Sequence, residues 1–232
     1  MDRTTKSEDT FHTLAAKNRF YPAFLRVEGK VCVVIGGGRV ATRKIHALLV
    51  AGARVVVISV ALHVDLQTLF ANGLVDYIPA RYAAEYLTGA SLVFAATNDP
   101  EVNLQIARDA HERGLWVNVA DNPDNSDFYV PATIHQQDLT LAISTGGEAP
   151  AFARYVRELL EQSLSDALGQ ALEMVTQARP LILAEPKERQ TQLWESLQAL
   201  HLEKVIETQG HAVAHQLFGQ WLEQNIGLCC KK

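Results

Sequence analysis

The chain of 232 residues is 48% hydrophobic and 20% charged, the balance of a soluble globular protein that can bury a sizeable core. Its net charge of −5 argues against broad binding to nucleic acid. No apolar run is long enough to span a bilayer, and the first residues lack the apolar core of a signal peptide. We therefore expect a cytoplasmic protein with no nucleic-acid or membrane partner.

Cysteine usage and the first residues add little to this picture. Cys32 falls inside a predicted core strand, and Cys229 and Cys230 are adjacent near the C-terminal end, so no disulfide framework is predicted. Residues 1–19 are polar and predict a loose leader.

From residue 20 to residue 120, predicted strands alternate with predicted helices. Apolar, β-branched runs predict strands at 31–35, 54–59, 74–78, 91–96 and 115–120. Helical spacing of apolar residues predicts helices at about 40–51, 64–71 and 97–113, while 81–88 is ambiguous. This alternation predicts an α/β fold, with right-handed crossovers and a doubly wound parallel sheet.

The pattern changes after residue 120. Strands are predicted at 128–134 and 139–144, and a connection of only four residues makes them antiparallel neighbours. A helix follows Pro150. The rest of the chain is predicted to be helical, with breaks at Pro180 and Pro186.

A glycine-rich turn follows the first predicted strand. Gly36, Gly38 and Ala41 fit the G-x-G-x-x-G/A spacing of a dinucleotide-binding turn, and a helical pattern begins directly after them. The start of that helix offers unpaired N–H groups to a pyrophosphate. The alternative is a glycine-rich connection that binds no ligand.

Four loops should meet at the carboxyl edge of the sheet, where ligands bind in such folds. These loops are 36–41, 59–61, 97–99 and 121–127. The acid that commonly holds the ribose 2′-hydroxyl is missing, since Ser59 stands near its place. Arg39 lies close by and could tolerate a 2′-phosphate, so the choice between NAD and NADP stays open.

Asp121 directly follows a predicted strand and is our candidate general acid or base. The alternative is that it is only a turn residue, because Asp, Asn and Pro are common in turns. Thr97 and Asn98 are also ambiguous: they could cap the next helix or contact the cofactor, and we favour capping.

A second polar loop, Ser144-Thr145-Gly146-Gly147, precedes a predicted helix that carries Arg154 and Arg157. Such a helix start with arginines suits carboxylates or phosphates, although a plain connection is an equal alternative. His211 and His215 have a spacing that metal ligands use, but further ligands are missing, and we expect them to be structural or solvated.

Taken together, these motifs resemble those of the precorrin-2 dehydrogenase/sirohydrochlorin ferrochelatase family, including the N-terminal half of siroheme synthase. The motifs are Gly36 to Lys44, Ala95 to Asp99, Val117 to Asp121, Phe128 to Ala132, Ser144 to Gly147, Ala149 to Arg154 and Leu193 to Glu195. The resemblance covers about residues 20–225. The methyltransferase half of siroheme synthase is expected to be absent, since the sequence ends at Lys232.

This resemblance implies a Rossmann-like NAD-binding domain (20–123), a small α+β dimerisation segment (124–163) and a C-terminal helical domain (164–232). It implies a homodimer that oxidises precorrin-2 to sirohydrochlorin with NAD⁺, and in several members also inserts Fe²⁺ to give siroheme. The metal ligands and the presence of this second activity stay open.

The resemblance also places site residues on this chain. The catalytic aspartate falls on Asp121. Cofactor contacts fall on Gly38, Arg39, Val40, Val60, Ala61, Thr97 and Asn98, to which the glycine turn and the second strand add Gly36 and Ser59. Substrate contacts are assigned to Asn118, Ser144, Thr145, Gly146, Arg154 and Arg157. Members often carry an acid where Arg39 stands, and this departure bears on cofactor choice.

Two other functions share the glycine turn. A nucleotide-sensing regulatory module would bind NAD(H) without needing Asp121 or the Ser144–Gly147 loop. A dehydrogenase of small carbonyl substrates would need a catalytic set, such as Ser-Tyr-Lys, that the sequence does not show.

Overall fold

Five parallel strands form a single sheet in the first part of the chain. The structure is a computed structural model, and it describes residues 20–120 and 122–227. The strands are β1 (Val31–Ile35), β2 (Arg54–Ile58), β3 (Asp76–Ile78), β4 (Leu92–Ala95) and β5 (Trp116–Val119). Their order is β3-β2-β1-β4-β5, and every neighbouring pair is parallel.

Helices cover both faces of this sheet. They are α1 (Arg39–Val50), α2 (Val64–Ala71) and α3 (Pro100–Glu112), and a short 3₁₀ helix spans Ala84–Leu87. Side chains of β1 alternate between the two faces, because successive residues of a strand point to opposite sides. Cys32 and Val34 pack with α1 and α2, while Val33 and Ile35 pack with α3. The predicted doubly wound sheet is confirmed.

A two-stranded antiparallel hairpin follows, formed by β6 (Ala132–Gln136) and β7 (Leu139–Ile143). The antiparallel pairing is confirmed, but the prediction that the first strand starts at residue 128 is wrong. Residues 126–128 instead bond to β5: the Asp127 N–H donates to the Val117 carbonyl, and the Asn118 amide donates to the Phe128 carbonyl. The turn is also tighter than predicted, with only residues 137–138 between the strands.

Five helices complete the described chain. They are α4 (Pro150–Ser163), α5 (Ala167–Leu183), α6 (Lys187–Gln198), α7 (Leu202–Gln209) and α8 (His211–Ile226). The predicted break at Pro180 is wrong, since that proline lies inside α5. Met174, Ala178 and Ile182 are buried on the same helix, and their packing offsets the hydrogen bond that proline cannot donate. The break at Pro186 is confirmed, because α6 starts after it.

The described residues form two compact units, which join between Val130 and Pro131. The partition into 20–123, 124–163 and 164–232 stays a prediction. Across 20–120 and 122–227, none of the helices combines the length and the apolar character that crossing a membrane requires.

We predict a pH-dependent loss of stability that originates at Cys32. This free thiol is fully buried in β1, and burial raises its pKa from the ordinary 9.0 to about 11. The folded chain therefore keeps the proton that the unfolded chain releases first. The resulting stabilisation is complete below about pH 9 and is lost as the pH rises toward 11.

Between these two pH values, the free energy of unfolding should fall by up to about 2–3 kcal/mol because of this group. Urea unfolding followed by circular dichroism at several pH values measures the fall. The Cys32→Ala variant is the control, since it retains every other titrating group. Equal pH slopes for the two proteins would contradict the prediction.

Candidate functional site

The glycine turn joins β1 to α1 and lies against two other loops. Gly36 has a φ of +124°, and a Cβ at this position would overlap the carbonyl oxygen of Ala96, which follows β4. A Cβ on Gly37 would overlap the carbonyl oxygen of Ala61, which follows β2. These two glycines are therefore required by the protein itself, because its backbone segments approach too closely for a side chain.

Gly38 differs from its neighbours, because nothing in the described part of the chain demands a glycine there. Its backbone is extended, with φ −89° and ψ −173°, and a Cβ would meet no atom within 4 Å. It is the N-cap of α1, and no side chain caps that helix. The open space and the uncapped N–H groups together suit a ligand with a phosphate that approaches the backbone.

The small residue at the third position of the motif packs inward. Ala41 is completely buried against the first face of the sheet, so α1 can lie close to β1. The open Gly38 and the buried Ala41 therefore match two positions of a dinucleotide-binding turn, while Gly36 and Gly37 are explained by the packing of the protein itself.

The loop after β2 provides the second wall. The Ser59 hydroxyl donates to the Ala61 carbonyl (2.7 Å), and the Tyr77 hydroxyl donates to the Ser59 carbonyl (3.0 Å). Val60 is 70% exposed, which is unusual for valine next to a buried strand and leaves an apolar surface for a planar ring. Arg39 and Val40 are also exposed at the start of α1.

The loop after β4 is held by a residue that the sequence did not single out. The buried Asn103 side chain accepts from the Thr97 hydroxyl (2.7 Å) and the Thr97 N–H (3.1 Å), and donates to the Thr97 carbonyl (3.1 Å). Asp99 caps α3, accepting from the Glu101 and Val102 N–H groups. The capping role predicted for Thr97 and Asn98 is therefore wrong. Cofactor contact by these two residues stays a prediction.

The loop after β5 carries the candidate catalytic residue. Asp121 lies outside the described residues, but its surroundings are described. The Ala120 N–H donates to the Ala95 carbonyl (2.8 Å), which extends the ladder between β5 and β4. The Ser126 hydroxyl accepts from the Val119 N–H (2.9 Å) and donates to the Asn122 carbonyl (3.0 Å). One hydroxyl thus ties together the segments on either side of residue 121.

Asp127 holds the end of the same loop. Its carboxylate accepts from the Val117 N–H (2.8 Å) and lies 3.1 Å from the His111 ring nitrogen. Ser126 and Asp127 therefore satisfy N–H groups on the edge of β5. The sequence analysis did not predict this role. Serine and aspartate in a loop indicate a turn, but they do not indicate which strand their side chains bind.

Asn118 is buried in β5, and both ends of its amide are engaged. Its oxygen accepts from the Lys44 ammonium (2.6 Å), and its nitrogen donates to the Phe128 carbonyl (2.8 Å). The Lys44 ammonium also lies 5.6 Å from the centre of the Phe94 ring. Asn118 thus links α1 to the segment at Phe128, and its contact with substrate stays a prediction.

The predicted substrate residues 144–157 belong to the second unit. The Ser144 hydroxyl accepts from the Gly146 N–H (3.1 Å), and the Thr145 hydroxyl accepts from the Ala149 N–H (3.1 Å) at the start of α4. Arg157 is paired with Glu161 at 2.6 Å. Arg154 is exposed, and no carboxylate of the described chain pairs with it. These residues remain predicted substrate contacts.

A metal site is not evident in the described chain. The rings of His211 and His215 lie 6.2 Å apart and are both exposed. Within 20–120 and 122–227, no group of three or more His, Cys, Asp or Glu residues could hold a metal ion. Cys229 and Cys230 lie outside the described residues.

Comparison with known proteins agrees with this geometry. A family described as "Putative NAD(P)-binding" matches residues 23–132, and one described as "Sirohaem biosynthesis protein central" matches residues 136–163. Siroheme synthase of Tolumonas auensis is 36% identical over 208 residues, which cover 88% of this chain and 44% of that protein. The chain belongs to the precorrin-2 dehydrogenase/sirohydrochlorin ferrochelatase family.

A second siroheme synthase and a solved structure are also similar to this chain. Siroheme synthase 1 of Aeromonas salmonicida is 43% identical over 150 residues, which are 65% of this chain and 32% of that protein. The chain thus spans less than half the length of these curated relatives. The solved structure of "SirC, precorrin-2 dehydrogenase" has a TM-score of 0.71 and 26% identity, and covers 88% of this chain and 100% of that one. The predicted family and fold class are confirmed.

We predict that alanine at Gly36 mainly lowers stability, whereas alanine at Gly38 mainly weakens dinucleotide binding. Gly36→Ala should lower the free energy of unfolding by at least about 2 kcal/mol, because both the positive φ and the Ala96 carbonyl oppose a Cβ. Gly38→Ala should change it by less than about 1 kcal/mol, yet weaken dinucleotide binding by roughly tenfold.

Urea unfolding and calorimetric titration with NAD⁺ measure the two effects on both variants. The two glycines serve as controls for each other, since they are two residues apart in the same turn. Normal NAD⁺ binding by Gly38→Ala would show that the open space at this glycine is not part of the site.

Proposed function

We propose that this chain oxidises precorrin-2 to sirohydrochlorin with NAD⁺ as the hydride acceptor. The open Gly38 at the uncapped start of α1 is the observation that carries the proposal, since it leaves room for a phosphate beside the N–H groups of the helix start. The family supplies the substrate: the match to a precorrin-2 dehydrogenase covers the whole of that chain.

The residues around the glycine turn would hold and orient the dinucleotide. The N–H groups at the start of α1 suit the pyrophosphate, and the exposed Val60 suits the adenine ring. The loop at Thr97 is fixed by Asn103, so the nicotinamide end would meet a rigid wall. When bound, the nicotinamide supplies the redox chemistry, since its ring takes up a hydride.

The protein must then manage the proton that leaves with the hydride. Precorrin-2 loses two electrons and two protons: one proton travels with both electrons as hydride to NAD⁺, and the other leaves as a free proton. We assign the proton to the carboxylate of Asp121, acting as general base, with release to water afterwards. Ser126 and Asp127 would hold the loop of Asp121 against β5.

The substrate carries many carboxylates, so cationic groups and free N–H groups should recognise it. Arg154 is exposed in the second turn of α4, and no carboxylate among the residues that the structure describes pairs with its charge. Consecutive positive φ angles at Gly146 (68°) and Gly147 (86°) give the preceding loop a backbone that only glycine adopts easily. We propose these groups, with Asn118, Ser144, Thr145 and Arg157, as the substrate contacts.

Insertion of Fe²⁺ into sirohydrochlorin stays a prediction. In this step the metal is a substrate, and the pyrrole nitrogens of the macrocycle would be its ligands. Formation of a metallated chromophore from sirohydrochlorin and Fe²⁺, above the spontaneous rate, tests it. A regulatory module that only senses NAD(H) is the remaining alternative, and the match at 136–163 favours the enzyme.

We predict that Asp121→Asn lowers the rate of NADH formation from precorrin-2 by 10²- to 10⁴-fold, roughly the contribution of a general base. Its affinity for NAD⁺ should stay unchanged, because the amide keeps the size of the side chain. Absorbance of NADH measures the rate, and calorimetric titration measures the affinity.

Asp124→Asn is the matched control, since Asp124 is an exposed aspartate in the same loop. It should retain activity within about twofold. Full turnover by Asp121→Asn would refute its role as base. If the unaltered protein forms no NADH with either NAD⁺ or NADP⁺, the proposed function itself is wrong.

We also propose a cytoplasmic homodimer that forms through α4. Phe152, Tyr155 and Leu159 follow helical spacing and are 58%, 53% and 44% exposed, and the rings of Phe152 and Tyr155 lie 6.0 Å apart. Three large apolar side chains on one face of a helix are typical of an interface. This face falls in the segment that matches the family's central part.

Leu159→Glu should therefore convert the dimer to a monomer, because an unpaired carboxylate would be buried in the interface. Analytical ultracentrifugation measures the mass. Leu183→Glu is the matched control, since Leu183 is also exposed (48%) but lies on α5, and it should leave the dimer intact. A monomeric unaltered protein would contradict the proposed assembly.

A further inference from the structure

Lys44 lies on the second turn of α1, and its side chain reaches across to β5. Resting on the proposed function, we propose that Lys44 is a positioning residue for the oxidation. Through Asn118 it fixes the loop of Asp121 relative to the helix whose start holds the dinucleotide. Lys44 therefore sets the rate of the reaction and not the affinity for NAD⁺.

The surroundings of the Lys44 ammonium are unusual for a lysine, since lysine side chains commonly keep the charged group in water. This side chain is partly buried, and its ammonium donates to the Asn118 Oδ1 atom at 2.6 Å. The ammonium also lies 5.6 Å from the centre of the buried Phe94 ring, within the range of a cation–π contact. A charge is costly to withdraw from water, so we expect a lysine in this place to do more than fill space.

The ammonium determines which end of the Asn118 amide faces which partner. An ammonium only donates hydrogen bonds, so the amide oxygen must face Lys44. The amide nitrogen is then directed to the Phe128 carbonyl, to which it donates at 2.8 Å. The reversed amide would bring two donors together at Lys44 and two acceptors together at Phe128. Loss of the ammonium would remove a partner from the buried amide oxygen and would free the amide to rotate.

The contacts of Asn118 join the loop of Asp121 to a second element. Ser126 and Asp127 also hold this loop, but the bonds of their side chains to Val119 and Val117 join it to β5 itself. The bond from Lys44 instead joins β5 to α1, whose start offers N–H groups to the pyrophosphate. It therefore links the strand before the general base to the helix that binds the cofactor.

This link matters for the rate because the oxidation requires the base, the substrate and the nicotinamide to meet in one geometry. A displacement of about 1 Å can lower the rate of a reaction by roughly 10²-fold. A loop that moves relative to α1 would bring the Asp121 carboxylate within reach of the substrate proton less often. Loss of Lys44 should therefore lower the turnover more than the affinity.

Kinetics of the full chain with precorrin-2 and NAD⁺ test this proposal. Lys44→Met keeps nearly the length of the side chain but removes its charge and its donors. It should lower kcat by roughly tenfold or more and change the dissociation constant for NAD⁺, measured by calorimetry, by less than about threefold. Lys44→Arg can donate to the same amide oxygen, so it should recover kcat to within about threefold of the unaltered protein.

A double-mutant cycle tests whether Lys44 acts through Asn118. Asn118→Ala should lower kcat, and the addition of Lys44→Met to it should lower kcat by less than about twofold further. Losses that multiply in the double variant would overturn the proposal. Asn118→Asp keeps the proposal testable if Lys44→Met does not fold, because a carboxylate still pairs with Lys44 but cannot donate to Phe128. It should also lower kcat by roughly tenfold, and full turnover by this variant would overturn the proposal.

Lys30→Met is the matched control, since Lys30 is an exposed lysine just before β1. It should change neither kcat nor the affinity for NAD⁺. An unchanged kcat in Lys44→Met overturns this inference and leaves the proposed function intact. A kcat that falls only in proportion to the unfolded fraction, measured by urea unfolding, also overturns it, because the role of Lys44 would then be structural. Absence of NADH formation by the unaltered protein would overturn the proposed function, and this inference with it.

Discussion

The close approach of the backbone at Gly36 and Gly37 to the carbonyl oxygens of Ala96 and Ala61 is the constraint on which this site depends. It brings the ends of β1, β2 and β4 together without any intervening side chain. Such an approach is available only to glycine, and it leaves the start of α1 at the carboxyl edge of the sheet. The next glycine, Gly38, can then face open space, where the uncapped N–H groups are free for a phosphate.

The sheet holds this arrangement because β1 is buried on both faces. Its side chains alternate between the core beneath α1 and α2 and the core beneath α3. A shift of the strand by one residue would exchange the side chains that face the two cores. The burial of both faces therefore fixes the register of β1 and the position of the turn that follows it. The loops at the same edge are fixed by individual polar residues: Asn103 holds Thr97, and Ser126 bridges Val119 and Asn122.

The first two turns of α1 carry a local excess of positive charge. Arg39 and Arg43 are both exposed there, the first turn contains no acid, and no carboxylate among residues 20–120 and 122–227 pairs with either arginine. The pyrophosphate of a dinucleotide would bring the negative charge that this end of the helix lacks. The buried Ile45 and the hydrogen bond between Lys44 and Asn118 hold α1 against the sheet.

Residue patterns alone predicted the order of strands and helices, the doubly wound sheet, the antiparallel hairpin and the glycine turn. Each of these features follows from the local spacing of apolar residues or from the backbone freedom of glycine. Both can be recognised from residues that are close together in the sequence. Three features became evident only in the folded chain. Asn118 binds Lys44, 74 residues away, Asp99 rather than Thr97 caps α3, and the helix α5 continues through Pro180. These features depend on contacts and packing that residue type and spacing do not specify, so the same residues were consistent with more than one role.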